Sequence, residues 1–452
     1  MKIFETYATS HPKVLNQRVV DLCLVGAYWN KVANITPQLW TKINLSFPFS
    51  DPHLAAALKR IHASRLEKID VRIDFRDPEW DGKEPRDNDS ERIRIRKIMT
   101  VLRDTETRWK SITVVSGTWL PLYKLMEAWT FTHLPSLEYI LMERRNCIFG
   151  MRNVRFDPRS LISPMTLFGR NASLPKLRDL SLSAVHVDWD DASAGYQNLR
   201  KLELNNLTYD VEPSFEQFAA MLSSSPRLEH LDVSGFCPNH HTAPAPPGGG
   251  DPEFPVVHLP ALKKFTFGWK DFELGCQFLQ MFQIGSSLKS LTLVDTESGL
   301  GYWEEPRTGG RGWSQESQEI FEALSELGST APRHKNDMPP RPFISMRGVK
   351  ELKIVWTKAA CSSLIRFLSL LTELEDIWLE DVDIGVLEGL VLTRVGIWSK
   401  AVFWPLRRVD IQWMWRDEIP SPAKSLIPKL ESVWIKVDAR AAKEWRIEEA
   451  RL

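Results

Sequence analysis

A chain of 452 residues with 58 basic and 58 acidic side chains carries no formal net charge, which gives no electrostatic basis for a general nucleic-acid or membrane-surface role. The length exceeds what one hydrophobic core usually serves, and 43% hydrophobic with 26% charged residues is an ordinary composition for a multidomain or modular protein in water. There is no apolar run of about 18 residues, the start MKIFETYATSHPK lacks a signal-peptide core, and Cys23, Cys147, Cys237, Cys276 and Cys361 are scattered, so a cytoplasmic or nuclear protein without disulfides is expected.

In chain order, the stretch from Gln17 to Ala33 places Leu22, Val25, Trp29 and Val32 three, four and three residues apart. That spacing predicts one face of an amphipathic helix. Pro37 closes the stretch, and Trp40, Ile43 and Leu45 open the first extended segment.

From there one unit recurs to the end of the chain. It is clearest in SLPKLRDLSLSAVHV (173–187), where Leu177, Leu180 and Leu182 form the pattern LxxLxL with Val185 and Val187 as an aliphatic echo. Leu180 and Leu182 share one face of a short strand, while Asp179, Ser181 and Ser183 share the other. A one-sided strand of this length cannot bury its apolar row alone, so copies must stack. The copies are Trp40/Ile43/Leu45, Leu66/Ile69/Val71, Trp109/Ile112/Val114, Leu137/Ile140/Met142, Leu177/Leu180/Leu182, Leu199/Leu202/Leu204 and Leu228/Leu231/Val233. They continue with Leu262/Phe265/Phe267, Leu288/Leu291/Leu293, Val349/Leu352/Ile354, Leu374/Ile377/Leu379, Leu406/Val409/Ile411 and Leu430/Val433/Ile435. Several follow a turn proline, as in HLPSLEYI and SSPRLEHL. Spacings of 22, 29 and 26 residues fit the period of roughly 20 to 29 expected of leucine-rich repeats. The 61 residues from Leu288 to Val349 must hold an insertion or a degenerate copy.

Between the copies, segments 51–64, 91–104, 212–225, 315–328 and 359–371 have helical spacing, and Ser214 with Gln217 three residues on suits a helix start. The fold class read from this alternation is α/β, a leucine-rich-repeat-type solenoid or horseshoe. It divides into a helical segment at 1–45, an array at 46–295, an irregular insertion at 296–342 and C-terminal repeats at 343–452. Proline- and glycine-rich stretches at 237–255, 296–313 and 329–342 read as exposed loops.

No catalytic constellation emerges. Cys237 with His240 and His241 lacks a fourth metal ligand at a usual spacing, Gly248–Gly250 has no following lysine, and Arg92, Arg94, Arg96 and Lys97 read as a solvated helix face. Neither an enzymatic activity nor a cofactor or metal is expected.

The run LCLVGAYWNKVANITPQLWTKINLSF, through Leu22, Val25, Trp29, Val32, Ala33, Thr36, Pro37, Leu39 and Trp40, resembles the second half of the F-box-like domain of fungal, mushroom-type F-box proteins. In that family two tryptophans and a Thr-Pro at fixed spacing lead directly into leucine-rich repeats. The family's domain opens with a Leu-Pro-x-Glu helix ending in Ile-Phe, of which Lys2-Ile3-Phe4 matches only the tail. The resemblance implies a non-enzymatic substrate-recognition subunit of an SCF-type ubiquitin ligase. Leu22, Val25, Trp29, Val32, Pro37, Leu39 and Trp40 would then dock the adaptor subunit, and the repeats would bind an unknown target protein. The residues themselves leave open a free-standing repeat scaffold that has lost adaptor binding, with Trp29 and Trp40 as core.

Residues flanking the apolar pair of each copy should line the concave face of the solenoid. In the last three copies these include Asp376, Trp378, Glu380, Arg408, Asp410, Gln412, Ser432, Trp434 and Lys436, with Trp356, Trp413 and Trp415 nearby. Tryptophan and arginine are frequent interface hot spots. A protein-binding patch is expected there, with core tryptophans as the alternative.

Overall fold

The computed structural model describes residues 21, 23–79, 89–129, 131, 133–145, 154–169, 172–238, 255–296, 313–329, 342–357, 361–395, 405, 407–413, 424–428 and 437–441. The chain divides into two compact units, Met1–Cys147 with Asp157–Gln197, and Ile148–Phe156 with Asn198–Leu452. Both are mixed α/β structures whose main strands run parallel.

In the first unit the order is α1 (Ala27–Asn34), β1 (Lys42–Ser46), α2 (Asp51–Ala63), β2 (Ile69–Asp74), α3 (Asp89–Leu102), β3 (Trp109–Ser116), α4 (Trp119–Ala128), β4 (Tyr139–Arg144), β5 (Asp179–Ser183) and α5 (Trp189–Gly195). Strands β1 to β5 pair in chain order, because parallel neighbours need a crossover and each crossover here returns the chain one strand along. The register sets Ile43 opposite Val71, then Ile112, Ile140 and Leu180, all buried.

The second unit comprises β6 (Lys201–Asn205), α6 (Phe215–Ser223), β7 (His230–Ser234), β8 (Val257–Leu259), β9 (Lys264–Trp269), α7 (Phe272–Leu279), β10 (Phe282–Ile284), β11 (Ser290–Asp295), α8 (Trp313–Ser329), β12 (Phe343–Ile344), β13 (Glu351–Val355), α9 (Cys361–Leu368), β14 (Asp376–Glu380), α10 (Ile384–Val395), β15 (Arg408–Trp413) and β16 (Val437–Ala441). Its main sheet runs β6-β7-β9-β11-β13-β14-β15-β16, and a small second sheet, β8-β10-β12, is also parallel. Leu202, Leu231, Phe265, Leu291, Leu352, Ile377 and Val409 form one buried row across the sheet. Phe215, Phe218, Phe236, Phe267, Phe278 and Phe282 mesh between sheet and helices, with ring centroids 5.0 to 6.5 Å apart.

The first leucine of each unit is a turn residue rather than a strand residue. In HLPSL the Leu137 N–H donates to the Leu134 carbonyl (3.3 Å), and Leu177, Leu228 and Leu262 repeat this with Leu174, Ser225 and Leu259. Proline occupies the second turn position, where its fixed φ belongs. The next residue begins the ladder: Glu229 donates to Arg200, Lys263 to Glu229, Lys289 to Lys263, Lys350 to Lys289, Glu375 to Lys350 and Arg407 to Glu375, backbone to backbone. The same residues' side chains form a column in which Glu229 binds Lys263 at 2.7 Å, and Glu375 binds Lys350 at 2.6 Å and Arg407 at 2.9 Å. Lys289 turns instead to the carbonyls of Ser286 and Gly348, 3.5 and 3.4 Å away. A Cβ on Gly348 would lie 2.7 Å from the Ser286 oxygen, so this close approach requires glycine.

Two expectations change. The helix expected over 17–33 is interrupted at Gly26, so Val25 and Trp29 do not share one continuous helical face. Leu66 is 91% exposed, and Ile43 faces Val71 rather than Ile69, which moves the second copy two residues on, to Val71 and Ile73. Of the two alternatives for the 61-residue spacing, an insertion fits, because β11 pairs directly with β13 in the main sheet, Leu291 opposite Leu352, while β12 between them belongs to the small second sheet. Within 296–342, the helical spacing at 315–328 corresponds to α8, which buries Ile320, Phe321 and Leu324. Val433 and Ile435 of the last copy lie outside the described residues; the strand paired with β15 sets Val437 and Ala439 opposite Val409 and Ile411.

Candidate functional site

Two places gather the residues singled out above. The first is the N-terminal end of the first unit. Helix α1 exposes its last carbonyls, which need partners. The Thr36 hydroxyl donates to the Val32 carbonyl (2.7 Å), and the Trp40 indole N–H donates to the Ala33 carbonyl (2.8 Å). Pro37 starts a 3-10 turn that buries Leu39, and the Arg60 guanidinium lies 5.7 Å over the Trp40 ring. Ala33 and Leu39 form a small core with Cys23 and Trp40 against it. Thr36, Pro37, Leu39 and Trp40 therefore fasten α1 to β1. Trp29 and Val32 are half-buried, and Leu22 lies outside the described residues. Val25 is 67% exposed, and with Leu24, Tyr28 and Ile35 it accounts for four of the seven large hydrophobic side chains exposed among the described residues.

The second place is the polar face of β13, β14 and β15. Alternation puts Leu352, Ile354, Ile377, Leu379, Val409 and Ile411 inward, and their neighbours outward. Trp378 sits between Lys353 and Asp410, Asp376 between Glu351 and Arg408, and Glu380 between Val355 and Gln412. Trp378 is half-buried, neither core nor fully exposed. Lys353 binds Glu380 at 2.6 Å, and Arg408 binds Asp410 on its own strand. A depression of about 290 Å³ opens between them, lined by Lys353, Trp378, Leu379, Glu380, Asp410, Ile411 and Gln412. Along one edge, the Lys350 ammonium and then the Arg407 guanidinium hold the Glu375 carboxyl below its usual range.

The structure thus brings Asp376, Trp378, Glu380, Arg408, Asp410 and Gln412 to one face. Trp434 and Lys436, with Ser432 and Trp415, lie outside the described residues. Lys353 is the lining residue that the sequence reading missed. It occupies the same position between apolar residues, in the copy Val349/Leu352/Ile354, one repeat before those considered.

The metal candidate does not assemble among the described residues. Cys237 is buried and its thiol is pushed far up by burial, while His240 and His241 lie outside them. No cluster of three or more His, Cys, Asp or Glu side chains that could hold a metal occurs among the described residues, and no described helix is long and apolar enough to cross a membrane. The sequence matches no protein-family model and no curated protein.

Proposed function

We propose that this chain is a leucine-rich-repeat solenoid that serves as the non-enzymatic substrate-recognition subunit of an SCF-type ubiquitin ligase. Its N-terminal helices dock the adaptor, and the polar strand face around Trp378 holds a target protein. The observation that carries the docking half is the exposure of Leu24 and Val25, just before Gly26, and of Tyr28 in the first turn of α1, a helix whose C-terminal end is fastened down by Thr36, Pro37, Leu39 and Trp40. Large apolar side chains left in water at the start of an anchored helix favour a covering partner, each aliphatic one contributing about 1.5–3 kcal/mol when fully covered. The resemblance of residues 22–40 to F-box-like domains names the partner. Within that resemblance, Leu39 and Trp40 act by positioning the helix, and the contact falls to Val25, Tyr28 and Leu24.

Co-purification of the full chain with the SCF adaptor tests the reading. The parent should retain the adaptor, and Val25→Glu with Tyr28→Glu should release it while leaving the thermal transition in place. Failure of the parent to bind leaves the free-standing repeat scaffold as the reading.

A further inference from the structure

The depression around Trp378 has a charge pattern that specifies what it holds. On β13, β14 and β15 the polar-face positions carry four carboxylates, Glu351, Asp376, Glu380 and Asp410, against two cations, Lys353 and Arg408. Both cations are committed to ion pairs, Lys353 with Glu380 and Arg408 with Asp410. An incoming anion would have to break one of those pairs and face the remaining carboxylates. A cation breaks nothing, because an ion pair engages one oxygen of a carboxylate and leaves acceptor capacity on the other. Next to them stands the half-buried Trp378 ring, and indole is the side chain that best attracts a cation to its face. The volume of about 290 Å³ lies at or below the small end of ligand cavities, enough for one side chain rather than a whole cofactor.

We infer that the Trp378 depression takes the guanidinium or ammonium group of a basic side chain on an extended segment of the partner protein, with Trp378 stacking on it and Glu380 and Asp410 accepting its hydrogen bonds. The inference rests on the reading of this face as the target-binding face, and it names the chemical class of the target.

The test is a titration of the full chain with two dye-labelled peptides, acetyl-GSGRGRGSG-amide and acetyl-GSGEGEGSG-amide, followed by fluorescence anisotropy at low salt. The arginine peptide should bind about tenfold tighter than the glutamate peptide, the factor expected of one well-placed cation contact. Trp378→Ala should abolish that preference without moving the thermal transition. Asp410→Asn, a change of charge at constant shape, should weaken arginine-peptide binding and so covers the case in which Trp378→Ala does not fold. Equal binding of the two peptides, preference for glutamate, an arginine preference that survives both substitutions, or no saturation up to about 1 mM peptide would each overturn the inference. Adaptor binding without charge selectivity at Trp378 sinks this inference alone. Charge selectivity without adaptor binding sinks the ligase reading alone.

Discussion

Asp232 on β7 shows how a polar face stores a pH response in a single residue. Burial first, and the facing Glu203 carboxylate on β6, push its carboxyl up to about 6, although the Ser234 hydroxyl donates to it at 2.8 Å. Unfolded, the group ionises near 3.8, so between that value and about 6 the native state holds the extra proton and stability falls as pH rises. Asp232→Asn should therefore raise the denaturation midpoint at pH 7, by about 1–2 kcal/mol after allowance for the solvent that reaches its partly exposed edge, and the gain should vanish near pH 4. Denaturant melts of both forms at the two pH values decide it; a gain independent of pH would remove the charge as the cause. Leu66 and Leu137 make a second comparison, since the repeat pattern treats them alike and the structure exposes one and buries the other completely. Leu137→Ala should cost about 2–5 kcal/mol and Leu66→Ser less than about 0.5 kcal/mol, read from the same melts.

Among elements, α6 was legible to its cap. Ser214 accepts from the Gln217 N–H and Gln217 returns the bond to the Ser214 N–H at 2.8 Å, a reciprocal arrangement that Ser-x-x-Gln before an apolar run announces. Ser214→Ala should lower stability by about 1 kcal/mol and Ser214→Thr should restore most of it; a null result in thermal melts would show that packing against the sheet sets the helix start alone. The second repeat was misread for a definite reason. Ile69, Val71 and Ile73 alternate, and a slip of two residues preserves which side chains face inward, so the sequence could not separate Ile69/Val71 from Val71/Ile73. The strand exits were not legible at all. Ala184, Asn206, Gly235, Trp356 and Asp381, each immediately after a strand, share a left-handed backbone with φ between 47° and 64°, and only one of them is glycine. The repeat imposes the conformation there over the preference of the residue. The Trp378 face was legible because strand alternation fixes which residues lie outward, while its depression depends on Lys353 reaching across to Glu380 on the next strand, which no spacing encodes.

At the scale of the second unit, each strand of the main sheet from β7 to β15 pairs with its two neighbours and with no other described strand. In the proposed solenoid, stability would be close to a sum of repeat and nearest-neighbour terms. A charge forced into one repeat should therefore loosen its neighbourhood first. Val409, fully buried on β15, gives the test: Val409→Asp should strip amide-exchange protection from β14 to β16 and leave β6 to β11 protected. Uniform loss across the unit in exchange mass spectrometry would show a single cooperative block instead.

The column Arg200, Glu229, Lys263, Lys289, Lys350, Glu375, Arg407 also limits how such a chain can lengthen or shorten by whole repeats. Deleting the β7 repeat would close Arg200 onto Lys263, and deleting the β14 repeat would close Lys350 onto Arg407, in each case replacing an attractive contact by a repulsive one. The β11 repeat, whose Lys289 rests on carbonyl oxygens, could leave or be duplicated without changing the sign of any contact. The column's charges thus favour change in length at its lysine-bearing middle, where removing or adding a repeat breaks no ion pair.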